Sequence, residues 1–530
     1  MKKFTVLCLA GLLILAFGAT AYAAEAVKLD FRASGSIDAQ THLSVNVPPL
    51  NAAATPIYNS IPADYQTFVV IPGGTRQDRA LNRKVSYWDS RMSLRFEAAM
   101  GKELTGVLQF EIDSTRWGNS QGGIRPGSEA HATGVWATDR ASIEVKYMYF
   151  DVGLPYIGIP APMNVRVGAQ PMAIRPWFFA ATDGMGVSGG IKIDPVNINP
   201  FYFKPAEGFD WINDDVDIYG LQVNAKVSTF TVGGYGAYYN MNNYPMTNQP
   251  FTAVGAPGPY VRGVNEANLW WFGVYADGKA GPVNLQFDAG YDFGKVRAPS
   301  NVQAESVVYR GFASRLKVDY PWEKFNFGVI GMYASGSDAN KTSTTGLPGS
   351  VTANSTNSTR VNGWMVPVGS EQGAASGESA VFYGTEAGAS GGQGFGASHN
   401  YNQASKGAYG GTWFAKLYGS YKITPWYKIT FQGLYIGDTT RNGNTIGNAR
   451  RYVGPNFTAV QNGYLRDDDF IGVELDLMNE IQIYKNLTFK LFGGYLWAGN
   501  AMDLWSGSFG TGNFEMKNPW AIRTRLMYTF

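Results

Sequence analysis

Cysteine is nearly missing. The 530 residues contain one, Cys8, which excludes a disulfide framework and any zinc or iron–sulfur site built on several thiolates. Histidine is almost as scarce: His42, His131 and His399 lie far apart in the chain and offer little for a metal or catalytic cluster. Charge is sparse at 16%, and its two signs nearly cancel, with 43 Lys and Arg against 41 Asp and Glu. Long apolar runs are confined to the first residues, so no later helix could cross the ~30 Å of a bilayer core. There is no P-loop, no Gly-rich dinucleotide fingerprint and no His-Glu-x-x-His run, and an enzymatic role has no motif to rest on. No cofactor is expected. What the chain does have is 65 Gly, 31 Tyr, 31 Phe and 14 Trp, a composition unlike that of a long disordered or coiled-coil protein.

Lys2 and Lys3 precede an apolar stretch from Phe4 to Phe17, and Ala21-Tyr22-Ala23 follows with the small-x-small pattern of a cleavage site. Residues 1–23 therefore read as an export signal, with 24–530 as one domain. The mature chain would carry 41 basic and 41 acidic residues. A neutral chain has no bulk electrostatic reason to bind nucleic acid.

Beyond the signal the pattern has period two. Val27, Leu29, Phe31, Ala33, Ile37, Leu43 and Val45 alternate with Lys28, Asp30, Arg32, Ser34, Asp38, His42 and Ser44. Such alternation gives a strand one oily face and one wet face. It recurs to the last residue, where Trp520, Ile522, Leu526, Tyr528 and Phe530 share a face. About eighteen segments follow it, starting near 27, 86, 103, 140, 163, 186, 196, 215, 229, 268, 282, 309, 324, 411, 426, 469, 486 and 519. Those near 163, 186 and 196 are short, and merging a pair would give sixteen. Tight turns such as Gly101-Lys102, Ser228-Thr229 and Thr424-Pro425 alternate with long loops, the longest over 336–410. Short connections on one side and long ones on the other predict an all-β, transmembrane, antiparallel up-and-down β-barrel. Gly236-x-Tyr238, Gly331-x-Tyr333, Gly433-x-Tyr435 and Gly493-x-Tyr495 end strands alike, while Trp270, Trp413 and Trp520 open the strands that return. These rings are expected at one membrane interface.

With the signal, the Gly-x-Tyr strand ends, the alternating loop lengths and the terminal Leu526-x-Tyr528-x-Phe530, the chain resembles a Gram-negative outer-membrane porin. Overall it is most similar to the homotrimeric porins of sulfate-reducing bacteria. The resemblance implies a trimer of water-filled barrels in outer-membrane lipid and lipopolysaccharide, and reading of Leu526, Tyr528 and Phe530 by the barrel-assembly machinery. It also implies that a third external loop, here 171–186 with Arg175 and Asp183, folds into the channel.

Strand parity places Arg91, Arg95, Arg166, Arg523, Arg525 and Glu97 on the inner face, as a wall that either sets ion preference or pairs internally. Pro176-Trp177-Phe178-Phe179 reads as a plug or contact patch ahead of an aromatic track for sugars. Asp467-Asp468-Asp469 and Asn213-Asp214-Asp215 lack the spacing of a dedicated calcium loop. His42 and Ser44 share an inward face without a third catalytic partner. The reading is a passive diffusion channel. The alternatives are a channel selective for sugars or organic acids, and an adhesin or structural barrel with a closed pore.

Overall fold

Side chains that alternate in polarity place the two faces of a strand in two different media. Eighteen such strands here close on themselves in a computed structural model of the chain. The described residues are 29–46, 84–116, 143–154, 161–207, 214–244, 265–298, 305–338, 359–367, 378–384, 409–441, 468–502, 504–505, 513–514 and 517–530. The expected signal, most of each long loop and Asp467 lie outside them.

The first wall strands are β1 (Leu29–Val45), β2 (Lys84–Met100), β3 (Leu104–Arg116), β4 (Glu144–Leu154), β5 (Met163–Ile174) and β6 (Ala180–Ile193). Then come β7 (Val196–Ala206), β8 (Val216–Val227), β9 (Phe230–Tyr244), β10 (Asn265–Ala280), β11 (Val283–Arg297), β12 (Val307–Trp322) and β13 (Phe325–Ala334). The two-residue β14 (Arg360–Val361) pairs parallel with β12 beside the wall. The wall resumes with β15 (Thr412–Thr424), β16 (Tyr427–Asp438), β17 (Phe470–Tyr484) and β18 (Leu487–Ala498). Two short strands, β19 (Leu504–Trp505) and β20 (Asn513–Phe514), pair with each other, and β21 (Trp520–Thr529) completes the wall. The strands near 163, 186 and 196 are all present, so the count is eighteen rather than sixteen.

An even number of strands makes the first and last run in opposite directions, and β1 pairs antiparallel with β21 from Ser36↔Thr529 to Val45↔Trp520. Phe530 finishes the seam by exchanging backbone hydrogen bonds with Gly35 at 2.8 and 3.0 Å. Closure leaves no free edge, the condition for a sheet to sit in hydrocarbon. The shortest wall strands, β13 and β21, have 10 residues. At ~3.4 Å per residue and ~45° tilt, that rises about 24 Å, close to the apolar band of such barrels.

Parity sorts the faces as expected. Phe31, Ile37, Phe327, Val329, Phe431 and Leu526 are exposed on the outside, whereas Asp38, His42, Ser44 and Asp89 are buried within. The aromatic level is set by register. Tyr238 lies opposite Trp270, Tyr333 opposite Trp413, and Tyr495 opposite Trp520. The rings of Tyr238 and Trp270 stack at 4.2 Å. Leu526, Tyr528 and Phe530 all point outward.

Nothing stands within 4 Å of a side-chain atom built on Gly331, which is flanked by the outward Val329 and Tyr333. The test is therefore clean: Gly331→Asp puts a charge against lipid and lowers the yield of folded barrel, while Gly331→Ala leaves it unchanged, as read by heat-modifiable mobility on gels. Normal yield of Gly331→Asp would mean that inside and outside are reversed.

Candidate functional site

The interior is narrowed by two pieces of chain. The first comes from the β5–β6 hairpin. β4 accompanies β5 only from Met163 to Ala169, and β7 accompanies β6 only from Gly186 onward. Yet β5 and β6 pair with each other up to Ile174↔Ala180. The upper half of the hairpin has thus left the wall. It departs at two glycines that face each other, Gly168 and Gly186. Gly168 has φ +128°, and a Cβ there would come within 2.2 Å of the Met148 carbonyl oxygen; one on Gly186 would come within 2.3 Å of the Tyr202 oxygen. Only glycine fits both the conformation and the approach. Pro171 lies where β5 has lost its outer neighbour, an edge position that proline tolerates.

This corrects the expectation of an external loop over 171–186. Those residues form two strand ends and a tight tip, Arg175 to Phe179. Pro171, Pro176 and the glycine run masked an alternation that Met172 and Ile174 already carry on their buried side.

The tip reaches across the barrel to β10 and β11. Arg175, with φ +48°, forks onto Asp277 and Asp288, including an Nη2 bond to Asp277 Oδ1 at 2.8 Å and one to Asp288 Oδ2 at 3.0 Å. Its guanidinium lies between the rings of Trp177 and Tyr275, at 4.5 and 4.3 Å from their centroids. Burial disfavours the charge on Arg175, but the hydrogen bonds to the two carboxylates outweigh it and hold the group above its ordinary value. Phe178 and Phe179 are fully buried, Phe179 stacked on Tyr235 at 4.4 Å and Phe178 5.7 Å from Trp364.

The second piece belongs to the long connection between β13 and β15. Met365 N donates to Asp292 at 3.0 Å, and Trp271 Nε1 donates to the Met365 carbonyl at 2.8 Å. Farther on, Val381 and Phe382 N–H groups donate to Glu474 at 2.7 and 2.9 Å, and Ala380 N–H to Asp476 at 3.1 Å. Phe382, Tyr383, Tyr409 and the wall residue Phe414 pack together, all fully buried. Each such ring contributes about 1.5–3 kcal/mol by leaving water. The apolar core of this protein thus sits inside the barrel, with its inserted aromatic rings on the β9–β17 side and further members from β7, β8 and β18. Val381 to Tyr383 runs as bends, whereas Val361 belongs to the short β14.

Glu378 anchors this segment. Its carboxylate meets Arg315 at 2.6 Å and Lys416 at 2.7 Å, all three side chains buried. Burial works to raise the Glu378 carboxyl, but Lys416 and Arg315 outweigh it and hold it down at about 2.

The remaining wall, from β1 to β6 and β21, carries the charges read from parity. Arg91 bonds Glu111 at 2.9 Å; Arg95 bonds Glu97 at 2.6 Å and the Tyr149 hydroxyl at 3.0 Å. Arg166 meets Asp151 at 2.6 Å, and Arg525 meets Asp38 at 2.8 Å. Asp183 lies on β6, where Lys146 reaches it at 3.1 Å and Glu111 at 2.8 Å. Arg523 departs from the expected wall: it is buried and donates to the Gly384 carbonyl at 2.7 Å, taken up by the inserted segment. His42 and Ser44 contact each other at 3.2 Å but are buried, closed to any substrate. Asp215 is engaged by Lys204 at 3.2 Å. Sequence reasoning missed Glu111, Lys146, Asp151, Asp277 and Glu378. Parity could have put the first four on the inner face, but nothing local announces their partners.

No family model matches the chain, and no curated protein does. Among solved structures, the chain is similar to OccK11 (OpdR) of Pseudomonas aeruginosa, at 10% identity over 94% of this chain and 96% of that one, with a TM-score of 0.45. It is also similar to a BenF-like porin from Pseudomonas fluorescens Pf-5, at 10% identity over 94% and 98% of the two chains and a TM-score of 0.45. A third is the outer membrane protein OpdK of Pseudomonas aeruginosa, at 9% identity over 94% and 98%, again with a TM-score of 0.45.

Two outcomes follow for Glu378. Glu378→Gln leaves Arg315 and Lys416 buried without their counter-charge, an imbalance of about 3–5 kcal/mol. Hydrogen exchange at the amides of Ala380, Val381 and Phe382 should then speed up markedly while the wall strands stay protected. In the wild type the docked carboxyl is held below its ordinary value of 4.5, so its contribution is complete above that pH and is lost as pH falls through about 2. The share of the 380–382 amide protection that Glu378→Gln removes at neutral pH is the share expected to fall away in the wild type below about pH 4.

Proposed function

We propose that this chain is an outer-membrane porin through which ions and small hydrophilic solutes diffuse passively. One observation carries the reading: a closed barrel whose outside is apolar at bilayer height and whose inside bears charged side chains over β1 to β6 and β21. Such a wall would keep water and ions in the lumen, while lipid meets the outer Leu, Val and Phe side chains. The inserted hairpin and the Glu378 segment occupy the β9–β17 side. The conducting lane would run along the opposite wall, with Asp183 at the hairpin, Arg91, Arg95, Arg166, Arg525 and Glu97 along it, and Arg523 at its inner border, while Arg175, buried at the tip, would hold the hairpin against β10 and β11. Because these charges are largely paired, they would act as a graded field rather than as a single-sign filter. No covalent step, metal or nucleotide enters this reading.

Export by residues 1–23 and recognition of Leu526, Tyr528 and Phe530 by the barrel-assembly machinery complete the proposal. Assembly as a homotrimer and kinship with the porins of sulfate-reducing bacteria rest on the sequence resemblance alone. A second reading, a structural or adhesive barrel with a shut pore, draws on the buried aromatic core inside the barrel. A substrate-selective channel stands between the two.

Planar-bilayer recording of the mature protein separates them. Ohmic openings are expected, and a salt gradient gives the sign of the selectivity. Arg175→Ala, which frees the hairpin tip from β10 and β11, should raise unit conductance or add open-state noise. Silence of the wild type after verified insertion would replace the channel with the shut-barrel reading.

A further inference from the structure

We propose that the turn end of β8 to β12 holds a binding site for a compact anion of two or more charges, an oxyanion or a small dicarboxylate. A cavity of about 610 Å³ opens there, directly below the Arg175 contact, with Lys226, Lys279 and Lys317 in its lining. The three lysines come from β8, β10 and β12, so the site is held by three wall strands rather than by a loop. They share the inner parity with Gln222, Asp277 and Arg315.

Two acids also line the cavity, Asp277 and Asp319, and both are already committed. Asp277 is gripped by Arg175, and Asp319 takes Lys317 at 3.3 Å and the Tyr418 hydroxyl. Lys226 and Lys279 have no carboxylate at ion-pair distance among the described residues. Three lysines against two acids leave the lining positive by one charge, Arg175 being offset by Asp288, although the chain as a whole is nearly neutral, and a concave wall concentrates such a field. A single exposed ion pair contributes only about 0–1 kcal/mol, so a monovalent anion would not dwell. A ligand that meets two or three ammonium groups at once would. Asn284, whose amide can donate, can add a neutral hydrogen bond to such a ligand.

The site rests on the channel reading to the extent that a solute must reach this end of the lumen; binding itself does not require an open pore. The test is calorimetric titration of the full mature protein in detergent micelles at low ionic strength, with inorganic phosphate in one series and succinate in another. Saturable binding of either supports the site, and which of the two binds assigns oxyanion or carboxylate chemistry. The double variant Lys226→Gln with Lys279→Gln should weaken binding by at least about threefold, and Lys226→Arg with Lys279→Arg should retain it. Lys324→Gln, on the neighbouring turn outside the cavity, should bind as the wild type does. Heat-modifiable mobility confirms that each variant is folded. Absence of binding by both probes, or equal binding by the double glutamine variant, overturns the proposal. Binding by a protein that conducts no current would remove the channel reading and leave the site standing. Conductance without binding would do the reverse.

Discussion

Every peptide group that sits in hydrocarbon must find a hydrogen-bond partner within the protein, and closure of the β1–β21 seam meets that demand for the whole wall. The other features depend on it. Because the sheet has no edge, its outer face can be apolar without inviting a second copy to add a strand. Because strand number is even, the termini meet at one end, and Phe530 can complete the ladder against Gly35. Because eighteen strands enclose a wide interior, something must occupy that interior or it stays water.

The protein uses both solutions. On one side, from β9 to β17, it builds an apolar core out of its own connections, with Phe178, Phe179, Trp364, Phe382, Tyr383 and Tyr409 buried against wall aromatics. On the other, it leaves a wall of paired charges. The two pieces that narrow the lumen are held to the wall by ion pairs, Arg175 to Asp277 and Asp288, and Glu378 to Arg315 and Lys416. A buried ion pair adds little stability compared with an apolar replacement, but losing one partner is costly. Such contacts therefore fix where the inserted segments sit more than they add to the stability of the barrel.

The hairpin shows how a local feature becomes a global one. Two facing glycines, Gly168 and Gly186, let β5 and β6 bend out of the sheet without breaking their own ladder. The hairpin keeps its hydrogen bonds, loses its outer neighbours and carries a cation across the barrel. The cavity at the turn end adjoins the same contact, since Asp277 both takes Arg175 and lines the cavity.

Period two in polarity was enough to read the wall from the sequence: eighteen segments, their faces, and the outward Tyr and Trp level, because side-chain direction on a strand is strictly local. Leu526, Tyr528 and Phe530 could be assigned to the outer face on the same ground. The inner face was legible as a set of charges but not as a set of contacts. Arg523 belongs by parity with Arg525, yet one ends on a backbone carbonyl of the inserted segment and the other on Asp38. Asp277, Asp288 and Glu378 gain their partners from residues tens to more than a hundred positions away. Which segments enter the lumen, which charges they neutralise and which lysines remain unpaired are decided by tertiary structure, because those choices depend on distances across the barrel that no sequence spacing encodes.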